Sequence, residues 1–123
     1  MGVSTRVATL VVAKPGLMRN SLLAFLRATL QVEVVALAED TAAALQAARQ
    51  HKLDVLVLDT DLLEDGYVGL LQQLHSEQPA LKCIVLSDTI HQQQKSLAAG
   101  ASVALLKGFL DERLWDALVD HRC

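Results

Sequence analysis

Five short apolar runs, none holding a charge before its last residue except at Arg6, Glu33, Asp54 and Lys82, are the feature that most constrains this chain. They are Arg6–Ala13, Val32–Ala38, Leu53–Asp59, Leu81–Ser87 and Ser102–Leu106. Each is rich in Val and Leu and apolar at both odd and even positions, as expected of strands buried on both faces. The segments between them repeat apolar residues with a helical period. Leu17, Leu22, Leu23, Leu26 and Leu30 fall roughly on one helix face, and Ala44, Leu45 and Ala48 recur with similar spacing. Leu70, Leu71 and Leu74 form a third pattern that Gln78-Pro79 ends. His91–Ala99 is Gln-rich and weakly amphipathic, and Leu110–Val119 carries Leu114, Trp115 and Leu118. Asp40-Thr41 suits a helix N-cap, and Gly100 suits a helix C-terminus.

Strand and helix therefore alternate five times, with no Ser/Gly-rich linker, repeat or low-complexity tract. Short parallel strands joined by helices imply right-handed crossovers and a sheet covered on both sides. The expected fold is a single α/β domain over residues 1–123, a three-layer (βα)5 doubly wound parallel five-stranded sheet. The length of 123 residues suits one domain rather than two. Aromatics make up only 3% against 52% hydrophobic residues, so Ala, Val and Leu must build the core.

A net charge of −3 gives no basic footprint for nucleic acid or an anionic membrane surface. No apolar stretch nears the ~20 residues that span a bilayer. Met1 to Arg6 is short and polar, unlike a secretory leader. Cys83 and Cys123 lack metal-ligand spacing and read as reduced thiols, Cys83 a small buried hydrophobe. The four histidines are scattered and suit surface positions. The expectation is a cytoplasmic protein that binds neither nucleic acid nor membrane through this domain.

In doubly wound sheets, ligand chemistry collects at the carboxyl ends of the strands. Strand three ends in Asp59, strand four in Ser87, strand five leads into Lys107, and strand one into Ala13-Lys14. An Asp closing a buried strand must meet water, a cation or a donor. Taken alone, such an Asp is more often a cap or a surface acid than an acceptor of a phosphoryl group, a role in which Ser87 and Lys107 would donate to the transferred oxygens.

Taken together, Leu53-Asp54-Val55-Leu56-Val57-Leu58-Asp59, the stretch from Ala98 to Lys107, and Val12 to Leu23 with Pro15, Leu17 and Arg19 resemble bacterial two-component response-regulator receiver domains, the CheY-like superfamily of flavodoxin-like fold. The resemblance implies that Asp59 matches the phosphoacceptor and that Ser87 and Lys107 match the residues contacting the phosphoryl group. It also exposes departures. The acidic pair that holds Mg²⁺ in the family falls on Ala13 and Lys14. The loop after Asp59 lacks its usual proline and reaches Gly66 early. Asp88 follows the strand-four hydroxyl where the family has a small residue. The switching aromatic falls on Ala104, and Gly108 rather than proline follows Lys107.

Three clustered carboxylates and one lysine leave an ordinary receiver with a charge of about −2 for Mg²⁺ to neutralise. Here Asp59 and Asp88 stand against Lys14 and Lys107, a sum near zero if Asp88 points inward. Lys14 would repel a metal ion by about a kcal/mol or more at about 4 Å, and has the option of pairing with Asp59. Ala104 has no ring to turn. No cofactor is expected; Mg²⁺ returns only if the chain accepts a phosphoryl group at Asp59 and controls an attached or partner DNA-binding output domain.

The leading expectation is therefore a non-enzymatic receiver acting by protein–protein interaction, with a sensor kinase, an output domain or protein, or a second copy of itself as partner. A helix-four, strand-five, helix-five face is the expected contact, with Trp115 either its anchor or packed on the sheet. A flavin- or nucleotide-binding protein of similar strand pattern needs a Ser, Thr or Gly-rich loop after strand one, and Lys14-Pro15-Gly16 is not one. No Ser/His/Asp or Cys/His set converges for hydrolysis.

Overall fold

Val55, Leu56, Val57 and Leu58 are each fully enclosed, as residues of a central strand must be when helices cover both faces. In the computed structural model, which describes residues 6–60 and 66–107, this segment is strand β3. The elements in chain order are β1 (Val7–Val12), α1 (Leu17–Arg27), β2 (Val32–Ala38), α2 (Thr41–Gln50), β3 (Val55–Asp59), α3 (Gly66–Glu77), β4 (Lys82–Ser87), α4 (Ile90–Ala98) and β5 (Val103–Leu106). All strands pair in parallel, in the order β2-β1-β3-β4-β5. The chain passes from β1 outward to β2, then returns to β3 on the other side. That reversal is the switch in strand order at which such sheets open a cleft.

Alternation along the strands divides the core in two. Val7, Val11, Val55, Val57, Ile84, Leu86 and Leu105 face α1 through Leu22, Leu23 and Leu26. Leu10, Val12, Leu56, Leu58, Cys83 and Val85 face the opposite way, against Ala44 and Ala48 of α2 and Tyr67, Leu70, Leu71 and Leu74 of α3. Small alanines on α2 let that helix lie close to the sheet, the arrangement a core poor in aromatic residues requires.

The caps expected from the sequence are present. Asp40 is extended and its carboxylate accepts from the Ala43 amide at 2.7 Å. Gly100 follows the α4 C-cap with φ +115°, a conformation open to glycine and strained for other residues. A Cβ there would also meet the His75 Cβ at 3.1 Å.

Some expectations are corrected. Val32–Ala38 forms the strand read from it but is not buried on both faces: it is an edge strand, half-exposed between its buried ends. Its pairing with β1 shifts register between Thr9 and Leu10, skipping Val35. Leu17 and Leu30 do not join the buried face of α1. Leu17 opens the helix with 83% of its surface exposed, and Leu30 lies past its end in the turn leading to β2, 84% exposed. The expected fifth helix, Leu110–Val119 with Trp115, lies outside the described residues, as do Gly108, Cys123 and the acids between Thr60 and Gly66. Among the described residues, no helix is long and apolar enough to cross a membrane.

Candidate functional site

Register alone gathers the acid, the hydroxyl and the amine. Asp59 pairs with Leu86 across β3 and β4, so Ser87 comes one residue further along the neighbouring strand. Ser87 pairs with Leu106, and Lys107 follows directly. Three adjacent strands thus end together in Asp59, Ser87 and Lys107.

The amine and the acid are in contact. Lys107 Nζ lies 2.6 Å from Asp59 Oδ1, with the aspartate side chain 7% exposed and the lysine side chain 16% exposed. A carboxylate so enclosed needs its partner: removing one member of a buried pair costs about 3–5 kcal/mol, because the other is left charged and desolvated. The same Nζ is 3.1 Å from Asp88 Oδ1, whose side chain is 42% exposed at the rim. Asp88 therefore does turn toward the cleft. The ammonium bridges a buried acid and a rim acid.

The end of β1 is different. Ala13 is buried, and its amide donates to the Ala38 carbonyl at 3.0 Å. Lys14 is exposed and, among the described residues, makes no ion pair with Asp59. The pairing open to Lys14 from the sequence is made by Lys107 instead. Among the described residues, the ion pairs of the cleft set two carboxylates, Asp59 and Asp88, on the one ammonium of Lys107.

Ser87 is completely buried, and its Oγ has no hydrogen-bond partner among the described residues. Ala104 is buried on β5, its methyl on the α2–α3 side of the sheet. Its carbonyl accepts from Gln93 Nε2 at 2.7 Å, a contact that joins α4 to β5.

Sequence reasoning missed two polar residues. Thr60, 1% exposed, directly follows Asp59, and its hydroxyl is within hydrogen-bonding distance of the Leu86 carbonyl and of Gln92 Oε1, at 3.2 Å each. Gln92 Oε1 also accepts from the Asp88 amide at 2.8 Å. One α4 side chain thereby ties the segment after β3 to the segment after β4. The Gln-rich run was the only available signal, and it does not say which glutamine reaches inward.

The arrangement is a doubly wound parallel sheet with an acid and a lysine paired at its carboxyl edge. The sequence matches the response regulator receiver domain family over residues 10–119, and the chain belongs to that family, the phosphorelay receivers of two-component signalling. No curated protein matches it in sequence. Among solved structures, the isolated receiver domain of RcsB from Salmonella enterica serovar Typhimurium is similar, with TM-score 0.80 and 20% identity over 93% of this chain and 86% of that one. The signal receiver domain of the putative response regulator NarL from Mycobacterium tuberculosis aligns with TM-score 0.77 and 24% identity, covering 94% and 92%. The response regulator domain of Thermotoga maritima CheB gives 0.82 and 19%, covering 94% and 96%. At such identities the likeness is one of fold. The chain spans only 60% of RcsB bound to promoter DNA.

Proposed function

We propose that this chain is an atypical, non-enzymatic receiver that works by protein–protein interaction, with Mg²⁺-dependent phosphorylation impaired. The observation that carries the reading is the end of β1. At the positions that match the family's acidic pair stand a buried methyl, Ala13, and an exposed ammonium, Lys14. Neither offers the oxygen ligands that Mg²⁺ requires. Among the described residues, no three His, Cys, Asp or Glu side chains gather where a metal ion could be held. That donor set does not fit Mg²⁺.

The partner is a protein: a sensor kinase, an output domain or protein, or a second copy of the chain. DNA contact, where the full protein makes it, belongs to an output domain. The location that suits this role is the cytoplasm. In support of a protein-binding face, α4 exposes Ile90 and Leu97 on the same side, 61% and 49% accessible. Ala104 offers no aromatic ring to report a change in the cleft.

A second reading, a phosphorylation-competent receiver with Asp59 as acceptor, is favoured by the retained Asp59, Ser87 and Lys107. The orphaned Ser87 hydroxyl is a donor ready for a phosphoryl oxygen. Incubation with Mg²⁺ and acetyl phosphate, followed by intact-mass measurement, separates the two. The expected result is an unmodified chain, and a phosphoryl group mapped to Asp59 overturns the first reading. In a separate titration calorimetry experiment, Ala13→Asp with Lys14→Asp is expected to gain measurable Mg²⁺ binding.

A further inference from the structure

Lys107 does not wait for a ligand; among the described residues two carboxylates already contact it. Resting on the receiver reading above, we propose that Asp88 is an internal competitor for Lys107. It is a carboxylate that the chain itself supplies at the place on the amine where an external oxyanion would bind.

An ammonium has three N–H donors. With Asp59 Oδ1 at 2.6 Å and Asp88 Oδ1 at 3.1 Å, carboxylates from two strand ends claim the same nitrogen. The Asp59 contact is buried and belongs to the fold. The Asp88 contact sits at the rim, on the side from which a ligand must arrive.

Asp88 is also held in place. Its amide donates to Gln92 Oε1 at 2.8 Å. The next residue, Thr89, is the α4 N-cap, with Oγ1 accepting from the Gln92 amide at 3.1 Å. Gln92 thus fixes the backbone on both sides of the Asp88 side chain, and its Oε1 is shared with the Thr60 hydroxyl at 3.2 Å. Little freedom remains to be lost when the carboxylate engages the amine, which is the advantage preorganisation gives an internal ligand. A phosphate-like anion approaching Lys107 meets a like charge beside it and competes with that carboxylate for the nitrogen. Asp88 thereby sets which anions the cleft admits, through occupancy of Lys107 rather than through the acceptor Asp59.

The rival account treats the Asp88 contact as a rim ion pair of little consequence. Amine reactivity separates the two. The full chain is treated briefly with N-hydroxysuccinimidyl acetate, with and without inorganic phosphate, and acetylation of Lys107 is measured by peptide mass spectrometry. Exposed Lys14 serves as the internal reference. In Asp88→Ala, Lys107 is expected to acetylate about threefold faster than in the wild type, the scale set by losing one rim ion pair. Inorganic phosphate is expected to protect Lys107 more strongly in the variant than in the wild type. Asp88→Asn, which keeps the size and removes the charge, is expected to behave alike and decides the matter if Asp88→Ala fails to fold. Equal acetylation in wild type and variants, or equal protection by phosphate, overturns the proposal. Phosphorylation of the wild type at Asp59 would overturn the reading above while leaving this comparison to be decided by Lys107 alone.

Discussion

Tyr67 and Ser87 each bury a hydroxyl with no hydrogen-bond partner among the described residues, yet the two orphans have different meanings. An unsatisfied buried polar group costs about 1–3 kcal/mol. Tyr67 sits in the apolar layer with Leu58, Leu70 and Leu71, where a ring is useful and its oxygen is not. Tyr67→Phe is therefore expected to leave the protein as stable or more stable by about 1 kcal/mol, read as a higher midpoint in urea unfolding; a clear loss would show that the oxygen has a partner in solution. Ser87 instead closes β4 beside the Asp59–Lys107 pair, where the proposed phosphoacceptor alternative would give its hydroxyl a partner. Legibility at this scale followed locality. Asp40 and Gly100 could be read because a cap's partner lies a few residues away in the sequence. Thr60 could not, since its partners, the Leu86 carbonyl and Gln92, are brought near only by the crossover from β3 to β4. The direction of Lys14 was hidden for a like reason: charge can be counted in a sequence, but exposure cannot.

Helix α4 is attached differently from its neighbours. Only Ser96 is buried among its residues, against Tyr67, Leu70, Leu71 and Leu74 in α3. What holds α4 is polar: Gln93 Nε2 on the Ala104 carbonyl, and Gln92 on the Asp88 amide. Such bonds contribute about 1 kcal/mol each, so α4 stands near the low-stability end of the fold. Gln93→Ala is expected to speed amide exchange through Ile90–Ala98 by about fivefold while leaving α3 nearly unchanged; equal acceleration in both helices would show that the joint serves the whole core. The elements were readable where burial was double. The β3 and β4 runs have no exposed face to confuse the pattern, whereas β2 has the same apolar composition and lies at the edge. Composition records what a strand tolerates and not how many neighbours it has. Leu17 and Leu30 misled similarly, because a helical period continues on paper past the turn where the helix stops.

Across the whole molecule, the order β2-β1-β3-β4-β5 was foreseeable only as a class, and the cleft's place followed from it. The depth of the core can be tested through Cys83, which lies on β4 with 4% of its surface exposed. Burial pushes its thiol from the ordinary 9.0 up to about 11, because the thiolate is poorly solvated there. The unfolded chain therefore loses this proton first as pH rises. The corresponding stability is fully present below pH 9 and is withdrawn between 9 and about 11. Relative to Cys83→Ala, the wild type is expected to lose about 1 kcal/mol more between pH 8 and pH 10 in urea unfolding; parallel pH profiles would place the thiol in water.

The skipped pairing at Val35 has a consequence for life among other copies of the same chain. Parallel edge strands can recruit one another into endless stacks, and an extra residue that bends and twists the rim spoils the flat template such growth needs. With the carboxylate of Glu33 standing exposed on that same rim, β2 makes a poor seed for cross-β assembly, so that this border of the sheet resists recruiting another copy.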